Sequence, residues 1–393
     1  MEYIISNKVA GLQGSTIREM FKMLADPEMI SFAGGAPAPE TFPVDELAKI
    51  AEDILKNEGR IALQYGITEG QPALAAFTRE RSERSNLLKK GDDMIITAGG
   101  QQGIDLTAKV LLNEGDTVIC ENPSFIGALN SFRSYGAKLC GITCEEDGMD
   151  MDALEQVLKT EKNVKLIYTI PTFQNPSGIT MSLEKRKRLL ALAEQYGVAV
   201  LEDNPYGDLR FEGEKLPTLK SLDTGNTVIY VGTYSKTLSP GLRLGFLIGD
   251  AKVIDKVTVC KQVNDVHTNV LSQMIAAEYF KRYSYDEHVK KLSVVYKHKC
   301  GLMLSCLEKY LPDTCSWTHP QGGLFIWGTI HKDVDTNDIS KLCIAKKVAF
   351  VPGSTFMADM EQKCSSFRLN YATMSDEAID KGIHILGDVL KTI

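Results

Sequence analysis

The sequence lacks a Cys-x-x-Cys pair among its nine cysteines and lacks His-Glu-x-x-His or comparable spacing among its six histidines, so zinc-ribbon and zinc-hydrolase classes have no support. An odd cysteine total without regular spacing fits reduced thiols better than a disulfide framework. No apolar run approaches the roughly 18 residues that would cross a bilayer. The opening MEYIISNKVAGLQGSTIREM has neither the basic start nor the apolar core of a secretory signal. These absences predict a cytoplasmic protein with no membrane partner. A basic excess is missing too: 44 Lys and Arg face 51 Asp and Glu, a formal net charge of -7, which argues against a nucleic-acid partner. The densest basic run, LEKRKRLL at Leu183 to Leu190, falls at helical spacing and reads as a solvated helix face.

What is present is ordinary globular composition, 44% hydrophobic and 24% charged, which excludes disordered and fibrous classes. At 393 residues the chain exceeds one typical core, and about two domains are expected. From residue 93 onward short β-branched runs alternate with helical patterns, the signature of parallel βαβ units in an α/β domain. DMIITA, TVICE, VKLIYTI, VAVLE and TVIYVG read as strands. Between the third and fourth, Ser182 caps a helix that Gly197 closes. Near residue 265 the pattern shifts to long helical stretches. GGLFIWGTI, VAFVPG and FRLNYA then supply strands for a second, smaller α/β domain.

In open parallel sheets, ligands collect beyond the carboxyl ends of the strands. Those ends carry Gly99, Gly100 and Gln101 after the first strand, Phe125 after the second and Asn175 after the third. Asp203 and Tyr206 follow the fourth, and Lys236 follows the fifth. Each alone has an ordinary reading as a turn, a core aromatic or a solvated side chain. Together they suit an aromatic cofactor bearing a phosphate and an aldehyde, pyridoxal 5'-phosphate. A glycine turn opening a helix offers free amides to a phosphate, and Thr233, Ser235 and Arg243 can add to that cup. Phe125 can cover a planar ring. Asp203 can pair with a ring nitrogen, and Asn175 and Tyr206 can bond the ring's phenolic oxygen. Lys236 can hold the aldehyde as an imine and then shuttle a proton.

These motifs resemble the class I/II aminotransferases of fold type I, in the branch of the 2-aminoadipate and kynurenine aminotransferases. QNPSG with Asn175 is similar to that family's Asn-Pro-x-Gly motif, EDNPY to its Asp-x-x-Tyr motif, and TYSKTLSPGLRLGF to its lysine segment. Arg368 in FRLNYA corresponds to the arginine that clamps a substrate carboxylate. The resemblance runs from ISFAGGAP near residue 31 to the C-terminus. It implies a mostly parallel seven-stranded sheet in a large domain at 46–280, a small C-terminal domain at 281–393, and an N-terminal segment at 1–45 packing with the small domain.

The resemblance further implies a homodimer with shared active sites, in which Tyr65 of LQYGITEG reaches the partner's cofactor phosphate; its ordinary reading is a half-buried tyrosine. The substrates expected are an L-amino acid and a 2-oxo acid exchanged by a ping-pong route, with 2-oxoglutarate and glutamate as one pair and 2-aminoadipate or aromatic donors beside it. Arg18 in GSTIREMF is placed where this branch meets a distal acid group, and is equally an ordinary surface arginine. Gly35, in the Gly34-Gly35-Ala36-Pro37 turn, is a candidate substrate contact and hinge. One departure is Phe125, where the branch often carries Tyr. A pyridoxal-dependent β-lyase of the same fold is the alternative chemistry, and a ligand sensor fused to a DNA-binding module the non-enzymatic one.

Overall fold

A computed structural model describes residues 3–10, 26 and 28–393. Its centre is an eight-stranded sheet made of β1 (Asp92–Thr97), β2 (Thr117–Asn122), β3 (Lys138–Glu145), β4 (Gly148–Met149), β5 (Val164–Thr169), β6 (Ala199–Asp203), β7 (Val228–Thr233) and β8 (Gly245–Asp250). The spatial order is β1-β8-β7-β6-β5-β2-β3-β4. β3, β2, β5, β6 and β7 pair in parallel, whereas β8 runs antiparallel between β7 and β1. Seven strands therefore form the body, as expected, and the two-residue β4 adds a short antiparallel edge.

The central strands are apolar on both faces because helices cover both. Ile119 and Ile167 pack toward the Met151–Thr160 and Leu183–Tyr196 helices, while Val118, Leu166 and Leu201 pack toward the Gly100–Leu111 side. Ser182 accepts from the Lys185 amide and Gly197 is left-handed at φ 65°, so the Leu183–Tyr196 helix starts and stops where its caps predict. The basic run on that helix is only partly solvated. Arg186 is fully buried, donating to the carbonyls of Met181, Pro171 and Pro217, because its row of the helix faces loop carbonyls rather than water.

A second sheet holds β9 (Cys315–Trp317), β10 (Phe325–Ile330), β11 (Val351–Pro352) and β12 (Ser366–Asn370), antiparallel in the order β9-β10-β12-β11. The Tyr285–Tyr310 and Asp376–Leu390 helices pack on it through Met303, Leu307, Ile383 and Leu386. Ile30–Ser31 runs parallel to Val348–Ala349, and the Asn370 amide donates to the Phe32 carbonyl, so residues 30–36 lie along this sheet. No helix among the described residues is long and apolar enough to cross a membrane.

Candidate active site

Because β8 reverses direction, β1 points the same way as β7, β6, β5 and β2. With the parallel β3, six carboxyl ends thus open on one rim. After β2 the chain moves outward to β3, and after β5 it moves the opposite way to β6. The β2 and β5 loops therefore flank a topological switch point, where a crevice is unavoidable. A cavity of about 400 Å3 sits there. Gly100, Gln101, Phe125, Asn175, Asp203, Tyr206, Thr233, Ser235, Lys236, Arg243, Arg368 and Gly35 all line it, as do Ala36, Ile104, Ile170, Pro205 and Pro240, which the sequence does not single out.

Lys236 follows β7 and its Nζ donates to the Gly35 carbonyl at 2.7 Å. Burial, and then the nearby Arg368 and Arg243 charges, push its ammonium down to about 8, against a weaker opposing pull from Asp203. Asp203 ends β6 almost wholly buried, and burial pushes its carboxyl up to about 7. Tyr168, one residue from the carboxyl end of β5, donates to Asp203 Oδ2 at 2.8 Å. Tyr168 is a site residue that sequence reasoning missed, because a tyrosine inside an apolar strand carries no local signal. Tyr206, also buried, has its phenol held well above the ordinary range by burial.

The end of the cavity beside Gly99 is built by backbone. Gly99 precedes the Gly100–Leu111 helix with φ 81°, and a Cβ there would lie 2.4 Å from Arg243 Nη2. Only glycine lets the guanidinium approach the helix start, whose first amides have no partner within the helix. Arg243 is itself left-handed at φ 53° and donates to the Ala98 carbonyl at 3.2 Å. Gly99 shapes this cup without lining the cavity. Thr233 Oγ1 donates to the Leu244 carbonyl at 3.0 Å and lies 3.0 Å from Ser235 Oγ, from which it can accept, which fixes the hydroxyls at the same end. The Gln101 side chain turns away to Gly127 and Ser131, leaving its backbone amide as the contribution to the cup.

Arg368 comes from β12 of the second sheet, buried between the faces of Phe325 and Phe356 at 4.3 and 4.9 Å. It donates to Asn175 Oδ1 at 2.9 Å and to the Ala33 carbonyl at 2.7 Å, while its Nε is buried without a partner. Burial lowers the guanidinium to about 10. Tyr65, expected at a partner's cofactor phosphate, does not line the cavity of its own chain. Tyr65 is 79% exposed, edge-on to His267 at 5.8 Å, rather than half-buried. Arg18 lies outside the described residues.

The chemistry of this donor set fits pyridoxal phosphate. It has unsatisfied helix amides with an arginine and hydroxyls at one end, and a buried carboxylate with no cation in hydrogen-bond contact among the described residues. It also has a lysine poised to be neutral and an arginine with an orphaned donor.

Residues 27–386 match the family model for aminotransferase class I and II. The chain is 40% identical to aromatic-amino-acid aminotransferase 1 of Thermococcus litoralis, over 99% of this chain and 94% of that one. It is likewise 40% identical to the 2-aminoadipate transaminase of Thermus thermophilus, over 97% and 94%. The solved structure of Pyrococcus horikoshii kynurenine aminotransferase in complex with PMP superposes with a TM-score of 0.94 at 38% identity, covering 99% of this chain and 97% of that one. The chain belongs to the class I and II aminotransferases, with the fold type I architecture and a pyridoxal-phosphate-dependent transferase activity.

Proposed function

We propose that the cavity transfers an α-amino group between an L-amino acid and a 2-oxo acid, with Lys236 as the group that joins the cofactor and moves the α-proton. The observation that carries this reading is the meeting, in one cavity, of a lysine lowered to about 8, the buried Asp203 and the half-satisfied Arg368. Bound pyridoxal phosphate supplies an electron sink for the carbanion formed at the substrate's α-carbon. Asp203 keeps the ring nitrogen protonated, and Tyr168 holds that carboxylate in orientation. Asn175 and Tyr206 bond the phenolic oxygen, and Phe125 covers a ring face. The Gly100 and Gln101 amides, beside Gly99, with Thr233, Ser235 and Arg243, hold the phosphate. Arg368 takes the substrate carboxylate in a bidentate grip, for which its unpartnered Nε is available. Gly35, whose carbonyl accepts from Lys236, borders the substrate.

Gly35, Ala36, Ile104, Phe125 and Ile170 give the cavity an apolar wall, which suits aromatic and long aliphatic donors with 2-oxoglutarate as acceptor. An acidic donor such as 2-aminoadipate would rely on Arg18 for its distal carboxylate. The relatives named for aromatic amino acids, 2-aminoadipate and kynurenine support this range. A homodimer is part of the reading. Leu63, Tyr65, Ile67, Val263 and Val266 are all exposed apolar side chains, which a partner subunit would cover while Tyr65 reaches the partner's phosphate. The division into units at 1–45, 46–280 and 281–393 rests on the separate sheets and on the long helix beginning at Tyr285. A cytoplasmic location is consistent with nine free cysteines.

The test is the visible absorbance of the holoprotein during additions of glutamate, 2-aminoadipate, kynurenine, alanine and cystathionine. Conversion of the band by an amino acid and its return with 2-oxoglutarate are expected. Pyruvate and ammonia released from cystathionine would assign a lyase instead. Lys236→Ala should lose turnover by at least about a thousandfold, and full activity in that variant would overturn its role.

A further inference from the structure

On the far side of the segment that carries Asp203 and Tyr206 lies a second cavity, of about 630 Å3, with Pro205 and Thr233 in the walls of both. Its charge balance runs against that of the protein. Arg81, Arg84, Arg210 and Lys215 line it, and Asp208 is the one acidic side chain among the lining residues. Asp208 is already neutralised, accepting from Arg81 Nη2 at 2.8 Å and from the Tyr285 hydroxyl at 2.7 Å. Three positive charges are left over in a chain whose formal net charge is -7.

Those three are poorly matched by protein anions. Among the described residues Arg84 pairs only with Glu80, at 4.0 Å, and both are largely exposed. Among the described residues, Lys215 and Arg210 make no ion pair, although Glu212 and Glu214 lie exposed on the same loop. Arg210 is held in place by neutral partners: Nη1 donates to the Glu212 carbonyl at 3.0 Å and to Gln321 Oε1 at 3.2 Å, and the guanidinium stacks 4.6 Å from the Phe173 ring. Its Nε is buried with no hydrogen-bond partner among the described residues. Behind the wall, Arg186 adds a further buried guanidinium whose hydrogen bonds go to carbonyls and the Thr172 hydroxyl. A buried donor without an acceptor is costly, and unmatched cations around a polar cavity favour an anion that supplies the missing acceptors.

We propose that this cavity is a binding site for a small multivalent oxyanion, held by Arg84, Arg210 and Lys215. Its occupant rests on Asn204 and Pro205. Asn204 braces the turn, accepting from the Gly207 amide at 3.0 Å and donating to the Tyr230 hydroxyl at 3.0 Å. The site thus touches the back of the cofactor-facing segment without entering the first cavity.

Calorimetric titration of the holoprotein with pyrophosphate and, separately, tricarballylate at fixed ionic strength tests the site independently of the transferase reading, since heat rather than turnover is recorded. Saturable binding of one anion per chain is expected. The anion that binds more tightly identifies a phosphate or a polycarboxylate ligand. The double variant Arg84→Gln, Lys215→Gln changes two exposed side chains and should fold normally while weakening binding about tenfold or more, the equivalent of one lost charge-assisted contact. Arg210→Gln should do the same. An absence of saturable heat with either anion, or unchanged affinity in the folded double variant, would overturn the proposal.

Discussion

Asp203 and Asp208 stand five residues apart, at the two ends of one turn, and they have opposite fates. Asp203 is buried with no cation in hydrogen-bond contact among the described residues, and burial raises it to about 7. Asp208 is held below the usual carboxylate range, its burial outweighed by Arg81 and the Tyr285 hydroxyl. A carboxylate satisfied by its own chain holds structure. One left without a cation in a cavity is set aside for a ligand. The turn between them therefore separates a carboxylate left open to a ligand from one matched by the protein's own arginine and tyrosine.

The sharpest way to break this contrast is Asp203→Asn. Turnover should fall by about a hundredfold to ten-thousandfold, because an amide cannot keep the ring nitrogen protonated. The cofactor-free variant should nevertheless melt higher than the parent at pH 8. Asp203 has a folded value above its unfolded one, so its burial destabilises the chain increasingly as pH rises above the unfolded value, and the amide removes that penalty. Thermal melts and steady-state rates on the same preparations would show both effects; a less stable variant of normal activity would reverse the assignment.

Asp208→Asn should do the opposite. The Arg81–Asp208 pair is about a quarter exposed, and breaking it should cost about 2 kcal/mol of stability with rates per folded molecule within a few-fold of normal. The parent's Asp208 contribution is present above the unfolded carboxylate value and is lost as pH falls through the lower folded one. Denaturant melts at neutral and acidic pH should therefore converge for parent and variant at the acidic end.

A smaller effect concerns Lys236 in the cofactor-free protein. Its amine must be neutral to join the cofactor, and with a value of about 8 roughly a tenth is neutral at pH 7, against fewer than about one in a thousand for an ordinary lysine. The rate of cofactor loading should rise about tenfold from pH 7 and level off above pH 8 to 9. A rate still climbing steeply at pH 10 would show that the cavity does not lower Lys236.

Much of the site was legible in the sequence because each residue follows a strand, and strand ends in a parallel sheet share a rim. Gly100, Phe125, Asn175, Asp203 and Lys236 meet for that reason. Arg368 was legible only through the family motif, since it arrives from the other sheet. Tyr168 and the apolar wall at Ile104 and Ile170 were not legible. Their role depends on which face of an element meets the cavity, and a strand that is apolar on both faces does not encode this. Arg186 shows the same limit, reading as solvated within LEKRKRLL although its carbonyl partners come from residues 171 and 217 on distant loops.

The sequence by itself determined the strands, their caps and the residues at their ends, because periodicity and capping are local chemistry. Tertiary structure alone decided the antiparallel β8 that aligns β1 with the rim, the burial that separates Asp203 from Asp208, and the unmatched cations of the second cavity. Those are consequences of long-range pairing and desolvation, which no stretch of neighbouring residues contains.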